Sequence, residues 1–294
     1  MPAAGSRSAN KGGNSMQVGF YTSTLGDRPI DEVIDFAAQE GFDAIEIDVR
    51  SHIPAPADLA PIVERARAKG LTVSSVTLFG NQLDPDPAAR AALHALTKDF
   101  VRAAADAEVP VFVLFPGHDP DAGDDENYAA FAAFAKELLA ETSDSPIKIV
   151  MENWPGPDKK FIAVNPVGWR KLFALVPDPR LGLEFDPSHL IWQDIDPMAA
   201  RREFASRIAI LHGKDTVLNR EIIEKHGNPW YRYVLPGRGL LDWKAFIAAA
   251  RADGFDGVIA LEHEDSDFGW PKKDLEARRE GHRVALKTLR EAIG

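Results

Sequence analysis

The chain has 294 residues, of which 45% are apolar, contains no cysteine, and carries a formal net charge of −11. Its length fits one α/β barrel of roughly 250 residues with insertions, and its apolar share supports a large core rather than disorder. The lack of cysteine excludes disulfides, thiolate metal sites and a cysteine nucleophile, and the acidic balance argues against nucleic acid or an anionic membrane as a partner.

Residues 1–15 (MPAAGSRSANKGGNS) are small and polar, without the apolar stretch of a secretory signal. They read as a disordered lead before a catalytic domain over residues 16–294, with Met16 an alternative start. No apolar run approaches 18 residues, so no membrane span is expected and a cytoplasmic location is the simplest.

From Met16 onward, β-rich runs alternate with Ala-rich amphipathic stretches. A strand over Val18–Thr22 is followed by a helix over Pro29–Gln39, closed by Gly41. Asp43–Val49 leads to Ala57–Lys69, closed by Gly70, and Leu71–Leu78 leads to the long helix Pro87–Ala107. Val109–Phe115 precedes Tyr128–Thr142, Ile147–Glu152 precedes Pro166–Leu175, and Leu181–Asp186 precedes Pro197–Ser206. Ile208–His212 comes before Trp243–Ala252, and Gly257–Glu262 before Leu275–Ala292. Proline at first helical positions and glycine just past helix ends mark several boundaries. Eight strands alternating with eight helices predict an α/β fold, a single-domain (β/α)8 TIM barrel, rather than an open sheet. A GxGxxG turn after the first strand is missing, which argues against a dinucleotide fold. The excursion Gly213–Leu241 is long and holds Lys214, Arg220, Lys225, Trp230, Tyr231, Arg232 and Arg238, as expected of a lid or binding loop.

Barrel enzymes carry their reactive groups at the carboxyl ends of the strands. There the fifth strand offers Glu152, the sixth Asp186, the seventh His212 and the eighth Glu262. Strand alternation gives all four inward parity: Ile149 and Met151, Leu181, Leu183 and Phe185, Ala209 and Leu211, and Ile259 and Leu261 take the helix-facing side. Successive strands are neighbours, so the four lie along one arc. Three carboxylates and an imidazole suit one divalent cation: Mn²⁺ foremost, Mg²⁺ or Co²⁺, with Zn²⁺ compatible. Such a cation, bound to a carbonyl and a neighbouring hydroxyl, acidifies the carbon-bound proton and stabilises an enediolate. Glu152 and Glu262, at the ends of the arc, are placed to take that proton and return it. Return to the opposite face epimerises; return to the adjacent carbon isomerises.

Each residue also has a structural reading. His189 is a substrate contact or a core histidine. Glu46 and Asp48 on the second strand, and His118 after the fourth, are substrate contacts or solvated loop groups. Lys214 polarises a substrate oxygen or pairs with a carboxylate. Glu264 shares parity with Glu262, but the apolar run stops at Glu262. Arg238 fixes its loop, His263 is structural, and Trp154 and Trp192 wall a sugar pocket or pack.

At these residues the chain resembles the sugar phosphate isomerase/epimerase family, the xylose-isomerase-like barrels, over nearly its whole length from Met16. The marks are Glu152 in MEN, Asp186–His189 as DPSH, His212–Asp215 as HGKD, Pro236–Trp243 as PGRGLLDW and Glu262–Asp265 as EHED. The resemblance implies Glu152, Asp186, His212 and Glu262 as metal ligands, Glu152 and Glu262 as the acid/base pair, and His189 near the substrate. Gly213 departs from the β-branched residue commoner in HxKD. No glycine cradle for phosphate follows the last two strands, which favours a non-phosphorylated sugar or keto-sugar as the small-molecule partner. Homo-oligomerisation is left open.

The expected activity is a metal-dependent sugar isomerase or epimerase acting by proton abstraction next to a carbonyl. The alternative is a lyase eliminating a β substituent from 3-keto-glycosides on the same scaffold. A barrel endonuclease would want more histidines and a basic surface, and a non-catalytic sugar-binding barrel would not need its glutamates as acids and bases.

Overall fold

A computed structural model describes residues 16–219, 221, 231–272 and 274–294. The polar lead over residues 1–15, and Arg220, Lys225 and Trp230 of the excursion, lie outside the described residues.

Eight parallel strands close into a barrel in the order β1, β10, β7, β6, β5, β4, β3, β2. These are β1 Gln17–Tyr21, β2 Ala44–Asp48, β3 Thr72–Thr77, β4 Val111–Leu114, β5 Lys148–Glu152, β6 Leu181–Phe185, β7 Ile208–Gly213 and β10 Val258–Leu261. All eight expected strands are present. The outer layer is formed by α1 Ile30–Glu40, α3 Leu59–Ala68, α4 Pro87–Asp106, α5 Asp124–Glu141, α6 Pro166–Leu175, α8 Pro197–Glu203, α9 Trp243–Ala252 and α10 Leu275–Ile293.

Three departures from the sequence reading have local causes. Helix α5 begins at Asp124 rather than Tyr128, because the Glu126 side chain accepts the backbone N–H of Gly123 and three acidic residues occupy the first turn, where the helix dipole favours them. Two short helices follow strand ends directly: α2 Val49–His52 after β2 and α7 Pro187–Ile191 after β6. Each is capped by the aspartate before it, Asp48 and Asp186 respectively. The excursion after β7 is not structureless at its base, since β8 Asp215–Leu218 pairs antiparallel with β9 Tyr231–Val234.

The apolar interior falls into two parts. The larger lies between strands and helices and includes Ile149, Met151, Leu183, Phe185, Leu211, Ile259 and Leu261. The smaller fills the lumen with Val111, Val113, Val150, Ile210 and Ala260. The strand parity assigned from sequence therefore holds on β5, β6 and β10, and on β7 from Ile210 onward; Ala209, expected on the helix side, packs against the lumen cluster beside a register shift. Gly213 continues β7 and pairs with Leu261; a Cβ there would come within 3.1 Å of Leu289 Cδ1, so helix α10 packs closely where a larger residue would intrude. Among the described residues, no helix is long and apolar enough to cross a membrane.

Candidate active site

Above the lumen plug, the ends of β5, β6, β7 and β10 bring buried charged groups together. Glu152, Asp186, His189 and Glu262 each offer a ligand atom, and these atoms lie within 4.8 Å of one another. His212 joins them from β7: its Nδ1 stands 3.2 Å from Glu262, 3.6 Å from Asp186 and 3.7 Å from Glu152. All four residues expected as ligands thus converge, and His189 comes with them.

Asp186 and His189 are held by identifiable local devices. Asn153, next to Glu152, donates its amide to the Asp186 carbonyl at 2.9 Å and accepts the Asp186 N–H at 2.8 Å. A side chain so prolongs the pairing of β5 with β6 past the last backbone rung. Asp186 spends Oδ1 on the Ser188 N–H, 2.7 Å away, to cap α7, and turns Oδ2 into the cluster. That short helix carries His189 back over the site, where its Nε2 lies 3.1 Å from Glu152 Oε1. On the other edge of the ring, Nδ1 shares a 2.8 Å hydrogen bond with the Tyr233 hydroxyl, which also accepts the Trp192 indole N–H. Tyr233 lies on β9, so the base of the excursion orients His189.

Lys214 puts its ammonium among the carboxylates, 3.0 Å from Asp186, 3.1 Å from Glu264 and in contact with Glu262. Burial pulls this ammonium down, but Asp186, Glu262 and Glu264 outweigh it and hold it well above the usual lysine range. In return, although burial pushes both carboxyls up, Lys214 holds Asp186 far below the usual carboxylate range and, with His212, brings Glu262 to about 2. Burial pushes Glu264 up. His212 is raised well above the ordinary histidine value: burial opposes its charge, and Glu184 and Glu262 more than offset that.

Such a set fits a divalent cation. Several carboxylates crowd around a single ammonium, and the buried Nδ1 of His212 has no well-aligned hydrogen-bond partner although three carboxylate oxygens surround it. Oxygen and imidazole donors without sulfur match the hard and borderline cations expected from the sequence.

A cavity of about 250 Å³ opens over the cluster. Glu152, His189, Lys214, Glu262 and Glu264 form its polar side, and Phe79, Phe115 and Trp154 its apolar side, with Tyr21 and Ser23 between. Phe79 stacks on Phe115 at 3.7 Å, and Phe115 meets Trp154 at 4.9 Å. The phenol of Tyr21 is bonded to Asp48, and burial keeps it protonated well past its ordinary range.

Other expected contacts lie elsewhere. Glu46 is wholly buried beneath His212, bonded to the Thr77 hydroxyl, and does not line the cavity. This corrects the expected substrate contact, because Glu46 lies two residues before the end of β2, and inward parity at that level puts the side chain under the site floor. His118 does not line the cavity either; its backbone is clasped by Asn81, which fixes the loop after β4. Asp48 caps α2, and Trp192 braces Tyr233 and stacks on Tyr231. Arg238 pairs with Asp265 and Asp267 of the loop after β10, so it ties two loops together, and His263 packs between Phe268 and His282.

Sequence reasoning passed over Tyr21, Tyr233 and Glu184. Glu184 lies on β6 between Leu183 and Phe185, so the alternation that singled out Asp186 also turns it inward. It is fully buried, and burial together with the Glu46 carboxylate pushes it well above the usual range.

Comparison with known proteins agrees with this architecture. Residues 34–292 match a family model described as xylose isomerase-like TIM barrel. The uncharacterized protein YfiH of Bacillus subtilis (strain 168) is 25% identical over 330 aligned positions, covering 95% of this chain and 99% of that protein. An inosose dehydratase of Lacticaseibacillus casei is 28% identical over 102 residues, 32% of this chain and 34% of that one. Among solved structures, D-psicose 3-epimerase with D-tagatose from Clostridium cellulolyticum H10 superposes with a TM-score of 0.73 at 16% identity, over 95% of this chain and 99% of that one. Mannonate dehydratase from Streptococcus suis gives 0.70 at 14% identity, over 95% of both chains. At such identities the likeness to the solved structures is one of fold.

Proposed function

The chain belongs to the xylose isomerase-like TIM barrel family, and from that premise we propose that it is a divalent-metal-dependent isomerase or epimerase of a small sugar or keto-sugar. The observation that carries this reading is the convergence of Glu152, Asp186, Glu262 and two imidazoles on the floor of a cavity with one aromatic side.

Glu152, Asp186, His212 and Glu262 would hold the cation, with Mn²⁺ the best match. Bound there, it would polarise a substrate carbonyl and favour negative charge on that oxygen. Glu152 and Glu262 flank the cavity floor, one taking the proton from the carbon next to the carbonyl and the other giving one back. His189, held by Tyr233, and Lys214 are in reach of substrate hydroxyls. Phe79, Phe115 and Trp154 offer an apolar surface to the C–H face of a sugar ring and help exclude water. A volume of about 250 Å³ falls just below the usual range for drug-sized ligands, roughly 300–1,000 Å³, and suits a monosaccharide.

A second reading, elimination, draws support from the local likeness to inosose dehydratase. Here the same proton leaves the carbon next to the carbonyl, the C–O bond one carbon further breaks, and the departing oxygen takes up a proton. A 3-keto-glycoside would lose its alcohol in this way.

The test uses chelator-stripped protein resupplied with Mn²⁺ and offered ketohexoses or 3-keto-glycosides in D₂O, followed by NMR. Metal-dependent deuterium uptake with no group lost is the expected result. Release of water or an alcohol selects elimination, and no exchange with any sugar at saturating Mn²⁺ rejects both.

A further inference from the structure

The other face of His212 meets a second acidic group. Its Nε2 lies 3.2 Å from Glu184 Oε1 and 3.4 Å from Glu46 Oε2, deep in the lumen. Neither oxygen of Glu184 has a well-aligned hydrogen-bond partner, and the side chain is wholly buried. Glu46 is anchored by the Thr77 hydroxyl. Folding alone gives no reason for this arrangement, because a buried carboxylate with poor partners is costly and the neighbouring lumen positions are filled by Val150 and Ile210. An apolar residue at 184 would extend that plug.

We propose that Glu184 is a positioning residue for His212, flanking Nε2 at 3.2 Å while Glu46 Oε2 is hydrogen-bonded to the same nitrogen. With a cation held by Glu152, Asp186 and Glu262, Nδ1 would be the nitrogen left to present its lone pair to it. A carboxylate on the far N–H of a ligating imidazole fixes its tautomer and ring orientation and raises its basicity. Without Glu184, Glu46 alone holds that edge of the ring, which can then turn over more readily and present a protonated nitrogen to the cluster. The inference rests on the reading of His212 as a cation ligand. A competing view makes Glu46, Glu184 and His212 a second cation site, since their ligand atoms also lie within 4.8 Å of one another. Against it, both oxygens of Glu46 are already engaged, Oε2 by His212 Nε2 and Oε1 by the Thr77 hydroxyl.

The test titrates full-length, chelator-stripped protein with Mn²⁺ alone, reading binding by calorimetry and by the EPR signal of free Mn²⁺, with thermal unfolding on the same samples. Wild type is expected to take up one equivalent. Glu184→Leu should bind Mn²⁺ about 10- to 100-fold more weakly while melting no lower than wild type. Glu184→Gln keeps a carbonyl acceptor toward Nε2 and should recover most of the affinity, which a purely steric role would not explain. Glu184→Met serves the same comparison where the Leu variant is insoluble. Undiminished affinity in the Leu or Met variant overturns the positioning role, as does a stoichiometry of two that falls to one when Glu184 is removed. A wild type that binds no Mn²⁺ removes instead the ligand reading of His212, and this inference with it.

Discussion

On its outer face the barrel wall presents Ile149, Met151, Leu183, Phe185, Leu211, Ile259 and Leu261 to the helices; on its inner face the same strands present Val150, Glu152, Glu184, Ile210, His212 and Ala260. Residues adjacent in sequence thus meet opposite environments. Outside, burial of apolar area drives folding. Inside, a thin apolar plug supports a stack of buried charges that work against it. Because a strand alternates its side chains, each face can change with little disturbance of the other. Stability resides mainly in one layer and chemistry in the other.

The sharpest way to break that contrast is to mutate the inner face and look for chemistry lost without stability lost. Glu152→Gln and Glu262→Gln should each lower turnover by about 10³-fold or more, as expected for removal of an acid/base group. Sugar binding should partly survive and the melting temperature should move little. Steady-state kinetics beside thermal unfolding checks this, and undiminished turnover in both variants rejects their assigned roles.

The converse change is Trp169→Ala in the outer layer. Trp169 is wholly buried against Phe185 and Phe204. Its truncation should cost about 3–5 kcal/mol in denaturant unfolding while the folded fraction keeps its Mn²⁺ affinity.

Acid should also act on the outer layer. Burial, aided by His263, lowers His282 to about 3, and burial lowers His263 to about 4. Both are therefore neutral in the fold and take up protons more readily when unfolded. Their contribution is complete above about pH 6.5, the ordinary histidine value, and is lost as pH falls toward 4 and 3. A loss on the order of a few kcal/mol across that window is expected in denaturant titrations, and His282→Phe should flatten the slope. A slope unchanged in that variant would assign the acid sensitivity elsewhere.

The smallest effect belongs to the lumen plug. Ile210→Val should cost about 1 kcal/mol, and a loss several times larger would mean that the plug bears more of the fold than its size implies.

All eight barrel strands were legible, since a parallel strand covered on both faces reads as a short β-branched run between turn signals. The four strand-end residues that converge on the cavity floor were legible for the same reason, their parity following from the apolar residues beside them. What escaped was set by contacts distant in sequence. Tyr233 reaches His189 only because β8 and β9 form a hairpin within the excursion. Glu46 and Asp48 share parity, and only the barrel's tilt and register decide which lies beneath His212. Glu184 shares the inward parity of Asp186 but lies within the strand, at a lumen level where an apolar residue is the ordinary occupant.

Asn153 carries a consequence for how the site ages with heat. Gripping both backbone polar groups of Asp186, it yokes two carboxylate-bearing strands so that their bite is set by the ladder, not by flanking loops. Warming should loosen the rim well before the spacing between Glu152 and Asp186 widens, so that, on the proposed function, affinity for sugar should fall at a lower temperature than affinity for Mn²⁺.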